Sequence, residues 1–313
     1  MSEPVYHIPA LLDATIRGLA IRLEGTYADL TFGGGGHSRA IMGQLGESGK
    51  LYSFDQDREA YENELAREEG MRLSEDSRWQ FVHGNFRYLS NYLDYYGVSA
   101  LDGVLADLGV SFHHFDSADR GFSFRMNGPL DMRMNRQGGR TAADIVNSYD
   151  EESLARVLYL YGEMHNARQV ARRLVQARQS AQIETTEQLT TLLTPLCGRD
   201  KEKKDLARLF QALRIEVNDE MGSLREMLLA AREWLRPGGR IAILTYHSLE
   251  DRIVKNFLRS GNIEGDIQKD FYGNIQTPFR LIEKGLTADA DEVARNPRSR
   301  SAKLRVAEKI EEA

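Results

Sequence analysis

Four consecutive glycines, Gly33–Gly36, stand between an apolar run and an amphipathic one, and they restrict the fold more than any other feature. The stretch Tyr27–Ser38 reads Tyr-Ala-Asp-Leu-Thr-Phe-Gly-Gly-Gly-Gly-His-Ser. Its first part, Tyr27–Phe32, suits a short strand. Ala40, Ile41 and Leu45 suit the first turns of a helix opened by Ser38. Strand, glycine turn and helix form the opening of a nucleotide-type βαβ unit. Glycine lets the backbone approach a ligand, and a helix N-terminus offers unpaired N–H groups to an anion. Lys50–Asp55 then reads as a second strand ending in an acid, placed to accept hydrogen bonds from ribose hydroxyls.

The dinucleotide fingerprint fits this turn poorly, because Gly33-x-Gly35 leaves Ser38 where a third glycine belongs. S-adenosylmethionine (SAM) fits better. It needs ribose acceptors and an anion site for its carboxylate, but no pyrophosphate cradle. An ordinary glycine turn in an α/β domain is the plainer reading of the same residues.

Further strands follow at α/β spacing. Trp79–Gly84 reads as a third strand, followed by Asn85 and by Phe86, an aromatic placed either to stack on an adenine or to fill the core. Leu101–Gly109 reads as a fourth, with Asp107 near its end. Four strands interleaved with helical stretches predict a doubly wound α/β sheet, with ligands at the carboxyl ends of the strands. Asp55, Phe86 and Asp107 all fall at such ends.

Val110–Arg140 then breaks the pattern, with several glycines and the Met/Phe/Arg-rich runs Arg120–Met126 and Leu130–Met134. A long irregular stretch with this aromatic content predicts a binding loop rather than disorder. Thr141 to about Arg208 is helical in pattern, so an inserted loop and helical domain is expected over 113–208, dividing a core of 1–112 and 209–313. One long helix is expected from Phe210 to Leu235, ending at Pro237-Gly-Gly, before a fifth strand over Arg240–Tyr246. Ser248 and Asp251 have capping-box-like spacing at the next helix. Phe279–Glu283 and Leu304–Ile310 supply the last strands.

Charge distinguishes the insert. From His165 to Arg214 there are ten Lys/Arg against five Asp/Glu, about +5, in a chain whose net charge is −6. Arg295–Arg305 adds five basic residues and no acid. Localised basic faces are expected for nucleic-acid contact, with a solvated helix face as the plainer alternative. Cys197 is the only cysteine, which excludes an intramolecular disulfide and a cysteine-rich zinc site and fits a reducing cytoplasm. No apolar run approaches a membrane span, and Met1–Tyr6 has no signal-peptide pattern.

Several stretches together resemble the bacterial ribosomal RNA small subunit methyltransferase H family of SAM-dependent 16S rRNA cytidine-N4 methyltransferases. They are His7–Leu12, Leu30–Met42, Asp107–Ser111, Arg120–Met134, Tyr161-Gly-Glu, Phe210–Asn218, His247–Lys255 and Asn296–Arg305. These span almost the whole chain in the family's order. The resemblance implies a class I SAM-dependent methyltransferase (Rossmann-like) sheet with an inserted helical, RNA-recognising domain. It implies 16S rRNA or the assembled small subunit as partner, a cytoplasmic location and no metal. It assigns cofactor contacts to Gly35, Gly36, His37, Asp55, Phe86 and Asp107, and to His114, which stands where the family usually has glutamine. Tyr246 stands where the family usually has phenylalanine.

Asp107 is also the first choice for a catalytic role, because a carboxylate near a cytosine exocyclic amine can accept its N–H and orient its lone pair. An NAD-dependent oxidoreductase would use the same glycine turn and Asp55 but has no use for a basic insert. An RNA-binding factor with a vestigial SAM fold would be free to lose Asp55 and Asp107, which are intact. A metal site from His113, His114 and His247 is a further alternative.

Overall fold

The computed structural model describes residues 9–67, 70, 72–110, 115–198, 201–273 and 275–311. The chain divides into two compact units, 1–109 with 222–313, and 110–221.

The first unit carries a seven-stranded sheet in the order β3-β2-β1-β4-β5-β9-β8. Its strands are β1 (Thr26–Asp29), β2 (Lys50–Asp55), β3 (Trp79–His83), β4 (Leu101–Asp107), β5 (Leu235–Thr245), β8 (Phe279–Thr287) and β9 (Lys303–Lys309). The pairings from β3 through β5 are parallel, whereas β9 pairs antiparallel with β5 and with β8. Two-residue strands β6 (Gln268–Lys269) and β7 (Ile275–Gln276) form a separate hairpin.

Successive residues of the strands feed two different cores, as the period of two requires. Val104 and Ala106 of β4 join Leu89, Leu93, Leu228 and Phe257 in one. Leu105 between them joins Ile16, Ile41 and Met42 in the other. Sheet-side burial therefore comes from α1 (Leu12–Leu19), α2 (Gly36–Met42) and α3 (Arg58–Leu65) on one face. The opposite face is covered by α4 (Leu89–Tyr95) and two later helices. The strand order reverses between β1 and β4, the topological switch point where open α/β sheets bind ligands.

The second unit is helical: α5 (Ala142–Ser148), α6 (Glu151–Gly162), α7 (Ala167–Arg178), α8 (Thr186–Leu193) and α9 (Glu202–Asn218). Two predicted features change here. The expected helix from Phe210 to Leu235 is two helices, α9 and α10 (Glu220–Trp234), separated by Asp219 in the left-handed region at φ 45°. Leu206, Leu209, Phe210 and Leu213 pack into the helical unit, while Leu224, Met227 and Leu228 pack on the sheet. The return to the first unit thus falls at 221/222 rather than 208/209, because the apolar repeat continues through a break that packing alone reveals.

The second change concerns the loop. Phe122, Leu130, Met132 and Met134 are buried in the helical core. Arg120, 1% exposed, donates from Nη2 to the carbonyls of Arg133 and Met134, each at 3.1 Å. Asn218 donates to the Met132 carbonyl and accepts from the Met134 N–H, both at 2.8 Å. Much of the expected binding loop is therefore a brace, leaving Arg125, Asn127 and the Asn135–Arg140 stretch exposed.

Candidate active site

The site residues gather at the C-terminal ends of β1, β2 and β4. The loop after β1 is anchored by backbone bonds from Leu30 N–H to the Leu105 carbonyl and from Phe32 N–H to the Phe54 carbonyl, both 2.8 Å. Gly33 and Gly35 sit at φ 51° and 71°, a region that costs residues with a Cβ. A Cβ on Gly35 would also meet the Arg39 guanidinium and the Phe32 ring at 2.8 Å. Arg39 in turn pairs with Glu64 of α3 at 2.7 Å and donates to the Gly34 carbonyl, so the turn is braced from outside.

Asp55 faces this loop. Its Oδ2 accepts from Gly33 N–H at 2.8 Å and its Oδ1 from Asp57 N–H at 2.9 Å. The carboxylate expected to meet a ribose thus also shapes the glycine turn. Phe86 begins a short turn capped by Asn85, whose Oδ1 accepts from Arg87 N–H at 3.0 Å, and it packs half-buried on the sheet core.

Beneath the loop lies a buried polar chain that sequence reading missed. Trp79 Nε1 donates to Ser53 Oγ at 2.8 Å, Ser53 and Ser38 hydroxyls meet at 2.7 Å, and Ser38 Oγ donates to Asp29 Oδ2 at 2.6 Å. Asp29 is fully buried, and burial pushes its carboxyl up to about 6 despite the donors from Ser38 and Thr31. An acid inside the apolar run Tyr27–Phe32 was the available signal.

Asp107 closes β4 and is held three ways. Its N–H donates to Thr31 Oγ1 at 2.6 Å, its Oδ1 accepts from the Tyr246 hydroxyl at 2.6 Å, and its Oδ2 lies 3.7 Å from His37 Nδ1. Burial pushes the carboxyl up to about 7. The Tyr246 hydrogen bond opposes the rise, and the charges of Asp29 and Glu250 add to it. Burial also pushes His37 down to about 4, against a hydrogen bond to the Ala10 backbone, so the imidazole facing Asp107 is neutral at pH 7. His37 Nε2 is buried and has no hydrogen-bond partner among the described residues. A neutral imidazole thus stands beside a carboxylate of raised proton affinity.

The match to protein families fits this geometry. The model of the MraW methylase family matches residues 4–310. The chain belongs to the MraW methylase family. Curated relatives named "Ribosomal RNA small subunit methyltransferase H" include one from Phocaeicola vulgatus, 55% identical over 98% of this chain and 99% of its own length. Another, from Parabacteroides distasonis, is 57% identical over 98% and 99%. Among solved structures, a putative rRNA-methylase from Clostridium thermocellum is similar at 15% identity and a TM-score of 0.45, covering 97% of this chain and 100% of that one.

The resemblance drawn from the motifs is borne out, as is the class I methyltransferase type of sheet. In this MraW-family chain Gly35, Gly36, His37, Asp55 and Asp107 come together around the switch point. His113 and His114 lie outside the described residues, as does His7. The capping expectation shifts by one residue. His247, not Ser248, caps α11 (Ser248–Ser260), exchanging hydrogen bonds with Glu250. Asp251 instead binds Arg305 at 2.7 Å and Lys303 at 3.1 Å, so both of these basic residues are engaged within the unit. No group of three or more His, Cys, Asp or Glu among the described residues is arranged to hold a metal. Among the described residues no helix is long and apolar enough to cross a membrane.

Proposed function

We propose that this protein transfers a methyl group from S-adenosylmethionine to the exocyclic N4 of a cytidine in 16S rRNA of the small ribosomal subunit, in the decoding or P-site region. The cytoplasm is the proposed location. The observation that carries the chemistry is Asp107: a carboxylate at the switch point, held on one oxygen by Tyr246 and facing a neutral His37 on the other. The full-length kinship to proteins named for small-subunit rRNA methylation supports the substrate.

The donor set fits the cofactor. Asp55 places a carboxylate at the end of β2 for ribose hydroxyls, the turn at Gly35 and Gly36 opens a helix N-terminus, and His37 Nε2, buried and without a hydrogen-bond partner among the described residues, offers a polar contact. Phe86 supplies an aromatic face, Asp107 a further acceptor, and His114 the contact implied by family position. When bound, the sulfonium group supplies an electrophilic methyl.

The protein's part is to make a poor nucleophile react. The cytosine amine is delocalised into its ring and must pyramidalise and shed a proton as it is methylated. Asp107 accepts an amine N–H, turns the nitrogen lone pair toward the methyl donor, offsets the positive charge developing on nitrogen and takes the proton. Its raised proton affinity suits that last role near neutral pH. Exposed Arg172, Arg173, Lys203 and Lys204 of the helical unit, and exposed Arg298 and Arg300 of the first unit, are proposed to contact RNA phosphates.

The test incubates the protein with labelled SAM and unmodified small subunits and maps the labelled nucleoside. Label on a base other than cytidine, or at a carbon, refutes the reading. Asp107→Asn keeps shape and removes charge. Single-turnover methylation should slow roughly 10²–10⁴-fold with SAM affinity little changed. Loss of SAM affinity with the saturated rate intact would make Asp107 a cofactor ligand only.

A further inference from the structure

Tyr246 stands directly after β5, whose Leu244 pairs in register with Asp107 on β4, so strand pairing itself delivers the phenol to the carboxylate. The 2.6 Å bond from its hydroxyl is the one hydrogen bond received by the Asp107 side chain among the described residues. The groups facing Asp107 are otherwise acidic or neutral. Asp29 comes from β1, Thr31 from the loop after it, His37 from α2 and Glu250 from α11. Tyr246 itself lies in the field of Asp107, Glu250 and Glu292, and with burial these hold its hydroxyl proton on, so it donates rather than accepts. Its own N–H is bound by Glu250. No Lys or Arg forms an ion pair with Asp107 among the described residues.

We propose that Tyr246 is a positioning residue for the methyl-transfer step: by donating to Oδ1 of Asp107 it fixes the carboxylate's rotation and leaves Oδ2 to receive the substrate amine. The proposal rests on the role given to Asp107 above. Tyr246→Phe keeps the ring and removes only the hydroxyl that donates to Asp107. Its removal deletes the one neutral donor that offsets a cluster of acids. The carboxylate form then loses a charge-assisted hydrogen bond, and Asp107 holds its proton to higher pH. A bond of that kind corresponds to a displacement of about one to two pH units.

Two measurements on the full-length chain test this. Carboxyl-¹³C aspartate labelling, with the Asp107 resonance assigned by its disappearance in Asp107→Asn, follows the titration of Asp107 in wild type and Tyr246→Phe. Single-turnover methylation of unmodified small subunits follows the rate across the same pH range. The expected result is an upward displacement of the Asp107 titration and of the acid limb of the rate profile by the same amount, so that at a pH on that limb the variant is roughly 10–100-fold slower and recovers as pH rises. A structural role alone predicts a drop independent of pH. An unmoved Asp107 titration, or a uniform drop, overturns the assignment. A displaced titration with a rate profile that does not follow it upholds the hold of Tyr246 on Asp107 and overturns instead the catalytic role proposed for Asp107.

Discussion

Asp55→Asn tests whether one carboxylate both shapes the glycine turn and binds the cofactor. In the native site its two oxygens accept separate backbone donors, Gly33 N–H at 2.8 Å and Asp57 N–H at 2.9 Å. Asparagine has one oxygen, so one of those N–H groups must face an amide NH₂, donor against donor. A partly buried donor stripped of its acceptor costs about 1–3 kcal/mol. For a unit of about 200 residues that predicts a melting temperature lowered by roughly 2–10 °C without cofactor. SAM should lose more than this misfit alone, because ribose hydroxyls also lose charge-assisted acceptance of about 1.5–3 kcal/mol per bond. The expected calorimetric result is SAM affinity weakened at least roughly tenfold. Asp57→Ala is the control. Asp57 caps α3 by accepting from Glu59 N–H at 3.1 Å, so its removal should cost about 1 kcal/mol of stability while leaving SAM affinity unchanged. Wild-type SAM affinity in Asp55→Asn would remove Asp55 from the cofactor site and leave it as a brace.

Asp29 should make stability depend on pH. Its folded value of about 6 lies above the unfolded 3.8, so its contribution is full below about pH 4 and is lost as pH rises through 6, a change of about 3 kcal/mol. His37, lowered to about 4, acts oppositely and loses its contribution as pH falls from 6.5 toward 4, so the comparison must be made against wild type at each pH. The stability of Asp29→Asn relative to wild type should therefore rise by about 2 kcal/mol from pH 4 to pH 7 in urea unfolding, and a constant difference would show that Asp29 does not titrate there. Both tryptophans, Trp79 and Trp234, lie in the sheet unit, so fluorescence reads that unit alone. In the helical unit, Arg120→Met removes the guanidinium from the Arg133 and Met134 carbonyls and should cost about 2–5 kcal/mol. Hydrogen exchange at the Met132 and Met134 amides should accelerate, and unchanged protection would deny Arg120 its bracing role. If Arg172, Arg173, Lys203 and Lys204 contact phosphates, replacing all four by glutamine should flatten the salt dependence of RNA affinity by up to about one logarithmic unit per contact, with SAM binding unaffected. An equal slope would make them a solvated surface.

What was legible in the sequence was whatever a short window determines. Glycines at Gly33–Gly36 need no tertiary knowledge to be read as a turn, and Lys50–Asp55 emerged with the bounds read from its pattern because a buried parallel strand is a continuous apolar run. Long-range pairings were hidden. Tyr246 and Asp107 lie 139 residues apart, and only the register of β4 on β5 makes one the hydrogen-bond donor of the other. The same holds for Asp251, whose spacing from Ser248 imitated a cap while its real partners sit on β9, more than 50 residues on. The α9–α10 break shows a different limit. Leu206 to Leu213 and Leu224 to Leu228 obey one helical period although they bury against separate cores, since periodicity reports that a face is covered and not by what. Within the expected binding loop Val110–Arg140, the bracing by Arg120–Met134 was hidden for a related reason. Met, Phe and Arg suit a ligand surface and a core brace alike, and the choice depends on whether a buried acceptor pair awaits the guanidinium. At Asp107 the two kinds of information meet: an acid at a strand end was visible in the sequence, but its proton affinity was not. Burial raises that quantity most, the Tyr246 hydrogen bond opposes the rise, and the charges of Asp29 and Glu250, which come from other parts of the sheet unit, add to it, so that an ordinary aspartate holds a proton near neutral pH.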